Sequence, residues 1–368
     1  MFLKAREAGP LRFCLSEYVL TVIIIAQRNL NMQAKVKGRR IMFRKRNLGV
    51  IFTAMALFVA LAVGSSFAGN TYVSRMEIHS FQSVTLTDTQ FLTGEKNGKP
   101  VTLVGELRLP RPGNKQPVVI LLHGSGGIIG FITDWERDLN AMGVGTFVID
   151  SFTPRGIDNT RDDQSRLGRL AMIIDAYRAL ELLSKNPRVD PARIAVMGFS
   201  RGGQAALYAS MKRFQRMYGP TNLEFAAYIP FYPDCSNTYK LDNEVADRPI
   251  RIFHGSADDY APVAPCRSYV ARLKAKGKDV QLTEYAGAHH VFDGQEFKKP
   301  VRIEKAQTVR QCQLMEAENG VIINVKTKEP FTYADPCVQR GVTVAYDEKA
   351  STEARKAVKE LVISLLKP

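Results

Sequence analysis

Arg193-Ile194-Ala195-Val196-Met197-Gly198-Phe199-Ser200-Arg201-Gly202-Gly203-Gln204 is the stretch on which the fold turns. Its apolar opening reads as a buried strand, Gly198 to Gly202 is G-x-S-x-G, and Gln204-Ala205-Ala206-Leu207-Tyr208 reads as a helix. Strand, sharp turn and helix in that order form the context of a nucleophile elbow, which lifts a serine above the end of a sheet. The backbone there is strained, and glycines two residues to either side leave it room. Ser200 is therefore the candidate nucleophile. The helix behind it turns its first N–H groups toward the same place, which makes the N–H of Arg201 a candidate oxyanion donor. An ordinary glycine-rich turn is the plainer alternative, so the choice rests on partners for the serine.

Outward from the elbow, strand and helix alternate. Pro117-Val118-Val119-Ile120-Leu121-Leu122 is continuously apolar, as a strand covered on both faces of a parallel sheet should be. It runs into His123-Gly124-Ser125-Gly126-Gly127, whose glycines let the backbone fold sharply at the sheet's C-terminal edge, where α/β proteins bind ligands. A second oxyanion donor belongs in this loop; the N–H of Ser125 is the first candidate and Gly126 the next. A phosphate loop would need a Gly-Lys-Ser/Thr ending, which is missing. Asp134 to Met142 reads as a helix, Gly143 to Asp150 as a strand, and Arg161 to Ser184 as a long helix on the spacing of Leu167, Leu170, Ile173, Ile174, Tyr177, Leu180 and Leu183. Strands are expected again at Phe225 to Ile229, Ile250 to Phe253 and Val280 to Tyr285, with a last helix from Thr352 to Leu366. Before all of these, residues 71 to 92 alternate weakly and are expected to pair as a hairpin with Val101 to Leu109. The pattern predicts an α/β fold: a mostly parallel, doubly wound sheet with helices on both faces.

Composition bounds the function. The 368 residues are 45% hydrophobic and carry a formal charge of +15, a value that invites a nucleic-acid reading. However, residues 1–68 hold 11 Lys/Arg against 2 Asp/Glu, leaving 40 against 34 for the rest. The remainder has no basic run interleaved with aromatics, so no nucleic-acid partner is expected. Arg44-Lys45-Arg46-Asn47, the apolar run Leu48 to Val63 and the small residues before Gly69 make a secretory signal peptide over 42–68, cleaved after Ala68. The run is short for a membrane span, so no stable span is expected after cleavage. Residues 1–41 then read as a misassigned extension before Met42, and 69–368 as one domain in a secreted or periplasmic protein. Its four cysteines, Cys235, Cys266, Cys312 and Cys337, have no metal-ligand spacing and suit disulfides in an oxidising compartment. Pairing neighbours joins Cys235 to Cys266 and Cys312 to Cys337, one of three possible connectivities.

A nucleophilic serine needs a base, and the base needs an orienting carboxylate. In α/β-hydrolases these follow the serine in the order acid, then histidine, each on a loop after a strand. Arg251-Ile252-Phe253-His254-Gly255-Ser256-Ala257-Asp258-Asp259-Tyr260-Ala261-Pro262 offers Asp258, with Asp259 in reserve; capping of the next helix is the alternative role for both. Of five histidines only His289 and His290 lie beyond these acids, in Gly287-Ala288-His289-His290-Val291-Phe292. His123 and His254, each before a glycine at a strand end, are expected to pack or hydrogen-bond there. No H-x-x-x-H spacing supports a metal, and the constellation needs no cofactor.

With Leu122-His123-Gly124-Ser125-Gly126-Gly127, Asp150-Ser151-Phe152-Thr153-Pro154-Arg155-Gly156, the elbow, the Asp258 loop and Ala288-His289-His290-Val291-Phe292 in view, the chain resembles the dienelactone hydrolase family of α/β-hydrolases. The likeness covers roughly 100–293 and the closing helix. It implies Ala/Gly-x-His-x-Phe at the base, which selects His290. The family's namesakes carry cysteine where Ser200 stands, so the resemblance implies a broader hydrolase of a carboxylic ester or lactone, working through an acyl-enzyme on Ser200, and the secretory leader and four cysteines depart from the cytoplasmic namesakes. A peptidase or acyltransferase with the same triad, and a non-catalytic exported binding protein, are the competing functions. Arg155 and Arg201 hint at an anionic group nearby, with Arg155 and Gly126 as secondary substrate-binding candidates, but surface salt pairing is the expected role for each arginine. Residues 294–345 read as an insertion before the final helix, a hairpin closed by Cys312 and Cys337 over the rim of the site.

Overall fold

The computed structural model describes residues 75–110 and 115–366. The expected extension (1–41), the signal peptide (42–68) and the cleavage point after Ala68 lie outside them. Strand β1 (Arg75–Thr85) pairs antiparallel with β2 (Lys99–Leu109), and the short helix α1 (Asp88–Leu92) sits between them. The expected hairpin partner thus stops at Thr85, because Thr87 and Gln90 exchange the two bonds of a capping box and start a helix instead. There follow β3 (Gln116–Leu122), α2 (Gly130–Ala141), β4 (Gly145–Asp150), α3 (Ala171–Ser184), β5 (Val189–Phe199), α4 (Arg201–Tyr208), α5 (Lys212–Tyr218), β6 (Tyr228–Phe231), β7 (Asn237–Thr238), β8 (Ile250–Gly255), α6 (Val263–Ala275) and β9 (Val280–Tyr285). The segment 294–345, expected as an insertion, contributes β10 (Val301–Thr308), β11 (Leu314–Glu316), β12 (Ile322–Asn324) and β13 (Gln339–Val344), and α7 (Glu348–Leu366) closes the described chain.

Eight strands form one sheet in the order β1-β2-β4-β3-β5-β6-β8-β9. The β1/β2 and β2/β4 pairs are antiparallel and every pair from β4 to β9 is parallel, as the alternation of strand and helix predicts. All seven residues of β3 are buried, and they divide by parity. Val118, Ile120 and Leu122 join a core with α3, α4 and α6, whereas Val119 and Leu121 join a second core with α2 and α7. That split is the period-2 pleat of a strand covered on both faces. Helix α7 packs by Ala350, Ala354, Val358 and Val362, one residue per turn, and each buried valine contributes roughly 1.5–3 kcal/mol. Among the described residues no helix is long and apolar enough to cross a membrane.

Beyond that hairpin, two larger departures from expectation occur. The long helix begins at Ala171 rather than Arg161, and residues 164–166 make only one 3-10 turn. The Asp163 side chain caps the Ser165 N–H, and the carbonyls of Gln164, Leu167 and Gly168 accept hydrogen bonds from Arg201. Oxygens that a helix would have used internally are thus taken by a side chain 33 to 37 positions away. The insertion also holds more than one hairpin. β11 pairs antiparallel with β12 but also parallel with β7, while β10 and β13 form a separate antiparallel ribbon. Disulfides join Cys235 to Cys266 and Cys312 to Cys337, the neighbour pairing.

Candidate active site

Ser200 stands between β5 and α4 at φ 55°, ψ −113°, a left-handed backbone setting rare for a residue with a side chain. The setting is held from both sides. The Ser200 N–H donates to the carbonyl of Phe231, and its own carbonyl accepts the first helical bond from Gln204. The glycines of the elbow follow from close approach: a Cβ on Gly198 would lie 2.0 Å from the Gly202 carbonyl oxygen, and one on Gly202 would lie 2.2 Å from that of Leu122. Neither position tolerates a side chain.

The loops after β8 and β9 reach the same edge. His290 Nε2 lies 2.9 Å from Ser200 Oγ, and His290 Nδ1 lies 2.6 Å from Asp258 Oδ2. With Nδ1–H donating to the carboxylate, the Nε2 lone pair faces the serine hydroxyl, the tautomer that suits a base. The other Asp258 oxygen accepts from the N–H groups of Tyr260 and Ala261, each at 2.9 Å. Burial pushes the Asp258 carboxyl up. The charge and hydrogen bond of His290, the nearby His254 and the Ala261 N–H more than offset that, so the carboxyl titrates below its ordinary range and stays ionised.

The neighbouring residues that the sequence left open take different places. Asp259 turns away from the imidazole and receives the Thr343 N–H at 2.7 Å, with the Arg302 guanidinium 3.3 Å away, so it fastens the insertion. His289 is half-buried, and of the pair it is His290 whose ring meets Ser200. His123 and His254 are fully buried and hydrogen-bond to the carbonyls of Gly124 and Gly255, as their positions before glycines suggested.

A cavity opens on Ser200. Ser125 and Arg201 line it, with Gln164 and Tyr260 on one side and Gln307, Thr308 and Tyr333 supplied by the insertion. Ser125 sits in the loop after β3, beside the elbow: a Cβ on Gly124 would lie 3.3 Å from that of Ser200. Gly126 is half-buried and is not among the lining residues. Gln164 is the hub of the wall. Its amide meets Ser125 Oγ at 3.3 Å, Tyr260 Oη at 3.1 Å and a nitrogen of Arg201 at 2.5 Å. Burial depresses the Arg201 guanidinium below its usual value, and its hydrogen bonds run to carbonyl oxygens rather than to a carboxylate, so it makes no salt pair.

Arg155 takes the salt-pairing role rather than the weaker one of meeting a substrate anion. Its side chain is 4% exposed and all five donors are taken: two by Asp175, and one each by Thr85 Oγ1, Ser151 O and Val84 O. No N–H remains for a substrate, and the salt pair it forms is buried rather than on the surface. Gln164, Tyr260 and Tyr333 escaped the sequence reading. Tyr260 lies inside the quoted acid loop, whereas Gln164 and Tyr333 carry no local signal.

A known structure shares the architecture. The structure described as m3DLH is 19% identical, with a TM-score of 0.51 over 79% of this chain and 99% of its own, which is a likeness of fold. Esterase 2 of Thermogutta terrifontis, phosphorylated by paraoxon, is 16% identical with a TM-score of 0.49, covering 82% of this chain and 98% of its own. The model of the dienelactone hydrolase family matches residues 106–317, from β2 through the elbow and both loops to the insertion. That match takes in more than half of the chain, which therefore belongs to the dienelactone hydrolase family.

Proposed function

We propose that this protein is an exported serine hydrolase that cleaves a carboxylic ester or lactone through an acyl-enzyme on Ser200. The observation that carries the reading is the unbroken line from Ser200 Oγ through His290 to Asp258, at 2.9 and 2.6 Å, assembled from three loops at one edge of a parallel sheet. His290 Nε2 takes the hydroxyl proton as Oγ bonds to the carbonyl carbon, and the carbonyl π pair moves to its oxygen. The N–H groups of Ser125 and Arg201 receive that oxyanion, a type of donor worth about 3 kcal/mol in the transition state. Collapse expels the alcohol, which leaves with the proton from His290. Water then repeats the sequence and releases the acid. Asp258 holds the imidazole tautomer and stabilises the imidazolium. Membership of the family supports hydrolysis as the reaction class. Two disulfides support an oxidising compartment, hence export.

The test is covalent labelling by a fluorophosphonate together with hydrolysis of p-nitrophenyl esters. Both should be fast in the parent protein, and Ser200→Ala should abolish labelling and lower kcat roughly 10⁴- to 10⁶-fold. Esterase activity retained by Ser200→Ala would exclude the mechanism.

A further inference from the structure

His290 lies between two tyrosine rings, Tyr232 with its centroid 4.6 Å away and Tyr260 at 4.8 Å. Each ring is pinned at its far end. The Tyr260 hydroxyl meets the Gln164 amide, and the Tyr232 hydroxyl donates to Asp293 Oδ1 at 2.8 Å. The second oxygen of Asp293 accepts Trp135 Nε1–H at 2.6 Å. Asp293, Tyr232 and Trp135 are all at most 1% exposed. A carboxylate removed from water in this way costs several kcal/mol unless its oxygens are bonded, and here both are.

The connectivity closes a circuit. Asp293 is three residues beyond His290 on the same loop, and Val291 between them is held at φ 59°. Tyr232, at the end of β6, is itself at φ 36°, with its N–H donated to Phe253 O at 2.7 Å. Two side-chain-bearing residues in the left-handed region flank the imidazole, and such settings persist only where the surroundings over-determine them. The loop that carries the base therefore also carries the anchor for the ring stacked on that base. Trp135 ties the anchor to α2, and Arg355 of α7 lies over the indole at 4.5 Å.

We propose that Tyr232, Asp293 and Trp135 form a positioning clamp that holds the His290 imidazole in line with Ser200. The proposal rests on the triad reading above. None of the three touches the reacting atoms. The clamp acts by keeping the ring from rotating or sliding, because a base displaced by about 1 Å loses roughly 10²-fold in rate.

The experiment uses the full chain and measures p-nitrophenyl acetate kinetics, the rate of fluorophosphonate labelling and thermal melting. Tyr232→Phe and Asp293→Asn should each lower kcat and the labelling rate 10- to 100-fold with KM within twofold. Trp135→Phe, which removes the indole donor together with part of a buried ring packed on Phe199 and Phe231, should show a loss of kcat of the same kind beside a lower melting temperature. Tyr177→Phe is the control, since it deletes another buried phenol bond, to Ala209 O at 2.7 Å, away from His290. It should lower the melting temperature and leave kcat unchanged. Folded Tyr232→Phe and Asp293→Asn proteins with parental kcat and labelling rate would overturn the clamp, as would a Tyr177→Phe loss of equal size. Activity surviving in Ser200→Ala would instead overturn the triad on which the clamp is built.

Discussion

Arg155→Met is the sharpest test of the reading that this arginine holds the fold rather than a substrate. The side chain makes a two-pronged pair with Asp175 at 2.8 and 2.9 Å, and the partners are 4% and 0% exposed. Methionine matches the aliphatic stem but leaves the Asp175 carboxylate buried, with the Ser83 hydroxyl at 2.6 Å as its remaining bond. Breaking one side of such a pair costs about 3–5 kcal/mol, because the surviving charge keeps its desolvation penalty and loses its compensation. For a domain of this size each kcal/mol moves the melting midpoint by about 2–3 °C, so a fall of roughly 6–15 °C is expected. Thermal unfolding followed by circular dichroism measures it, with ester KM recorded below the transition and expected to be unchanged. Adding Asp175→Leu should recover most of the loss, since an apolar pair of similar volume is often as stable as a buried ion pair. A variant that melts like the parent protein but binds anionic esters less tightly would refute the argument.

Two further outcomes follow from the geometry around the site. His123 donates Nδ1–H to Gly124 O and accepts the Ser151 N–H at Nε2, and burial holds its pKa below 6.5. The unfolded chain thus binds a proton below pH 6.5 that the folded one refuses. Stability should fall as pH drops below that point, by at most about 1.4 kcal/mol per unit for this group and only until the folded imidazole itself protonates, and urea unfolding of His123→Gln between pH 7 and 5 should show a shallower pH dependence. The adjacent acids should separate. Asp258→Asn is expected to lower kcat about 10⁴-fold, the effect of that change in a serine-protease triad. Asp259→Asn should cost less than tenfold and make residues 301–344 easier to cleave by protease, because it loosens the Thr343 and Arg302 contacts.

The sheet and the elbow were legible for local reasons. A strand buried on both faces must be apolar at every position, as β3 is, and G-x-S-x-G is dictated by backbone contacts two residues apart. The base was chosen between His289 and His290 by likeness, since nothing local distinguishes two adjacent histidines. What escaped depends on partners far along the chain. Residues 161–170 have helical spacing, yet Arg201 takes their carbonyls and Leu170 N–H donates to Asp88. Gln164 is placed by Gln307, 143 positions away, and Asp293 by Trp135, 158 positions away. No periodicity within one segment encodes such pairings. Arg155 illustrates the converse: its type suggested an anion, but the side chain turns inward to an aspartate of α3.

The insertion bears on the same question, because it touches both loops of the proposed triad. On the acid side Thr308 Oγ1 donates to Tyr260 O at 2.6 Å, and Arg310 donates to Asp259 O at 2.9 Å. On the base side the chain leaving β13 returns along the histidine loop, where Ala345 N–H donates to His290 O and Asp347 N–H to Phe292 O. The ends of β10 and β13, joined as one ribbon, thus hold the acid and base loops at a fixed separation. A loop fastened at one end swings, whereas two loops fastened to one antiparallel ribbon move together, so the 2.6 Å contact between Asp258 and His290 survives motion of either. The Cys312–Cys337 disulfide closes the segment between the two strands of that ribbon. Residues 301–347 thus brace the proposed triad as well as lining the cavity, and excising 301–344 should displace His290 and abolish fluorophosphonate labelling even with Ser200, Asp258 and His290 retained.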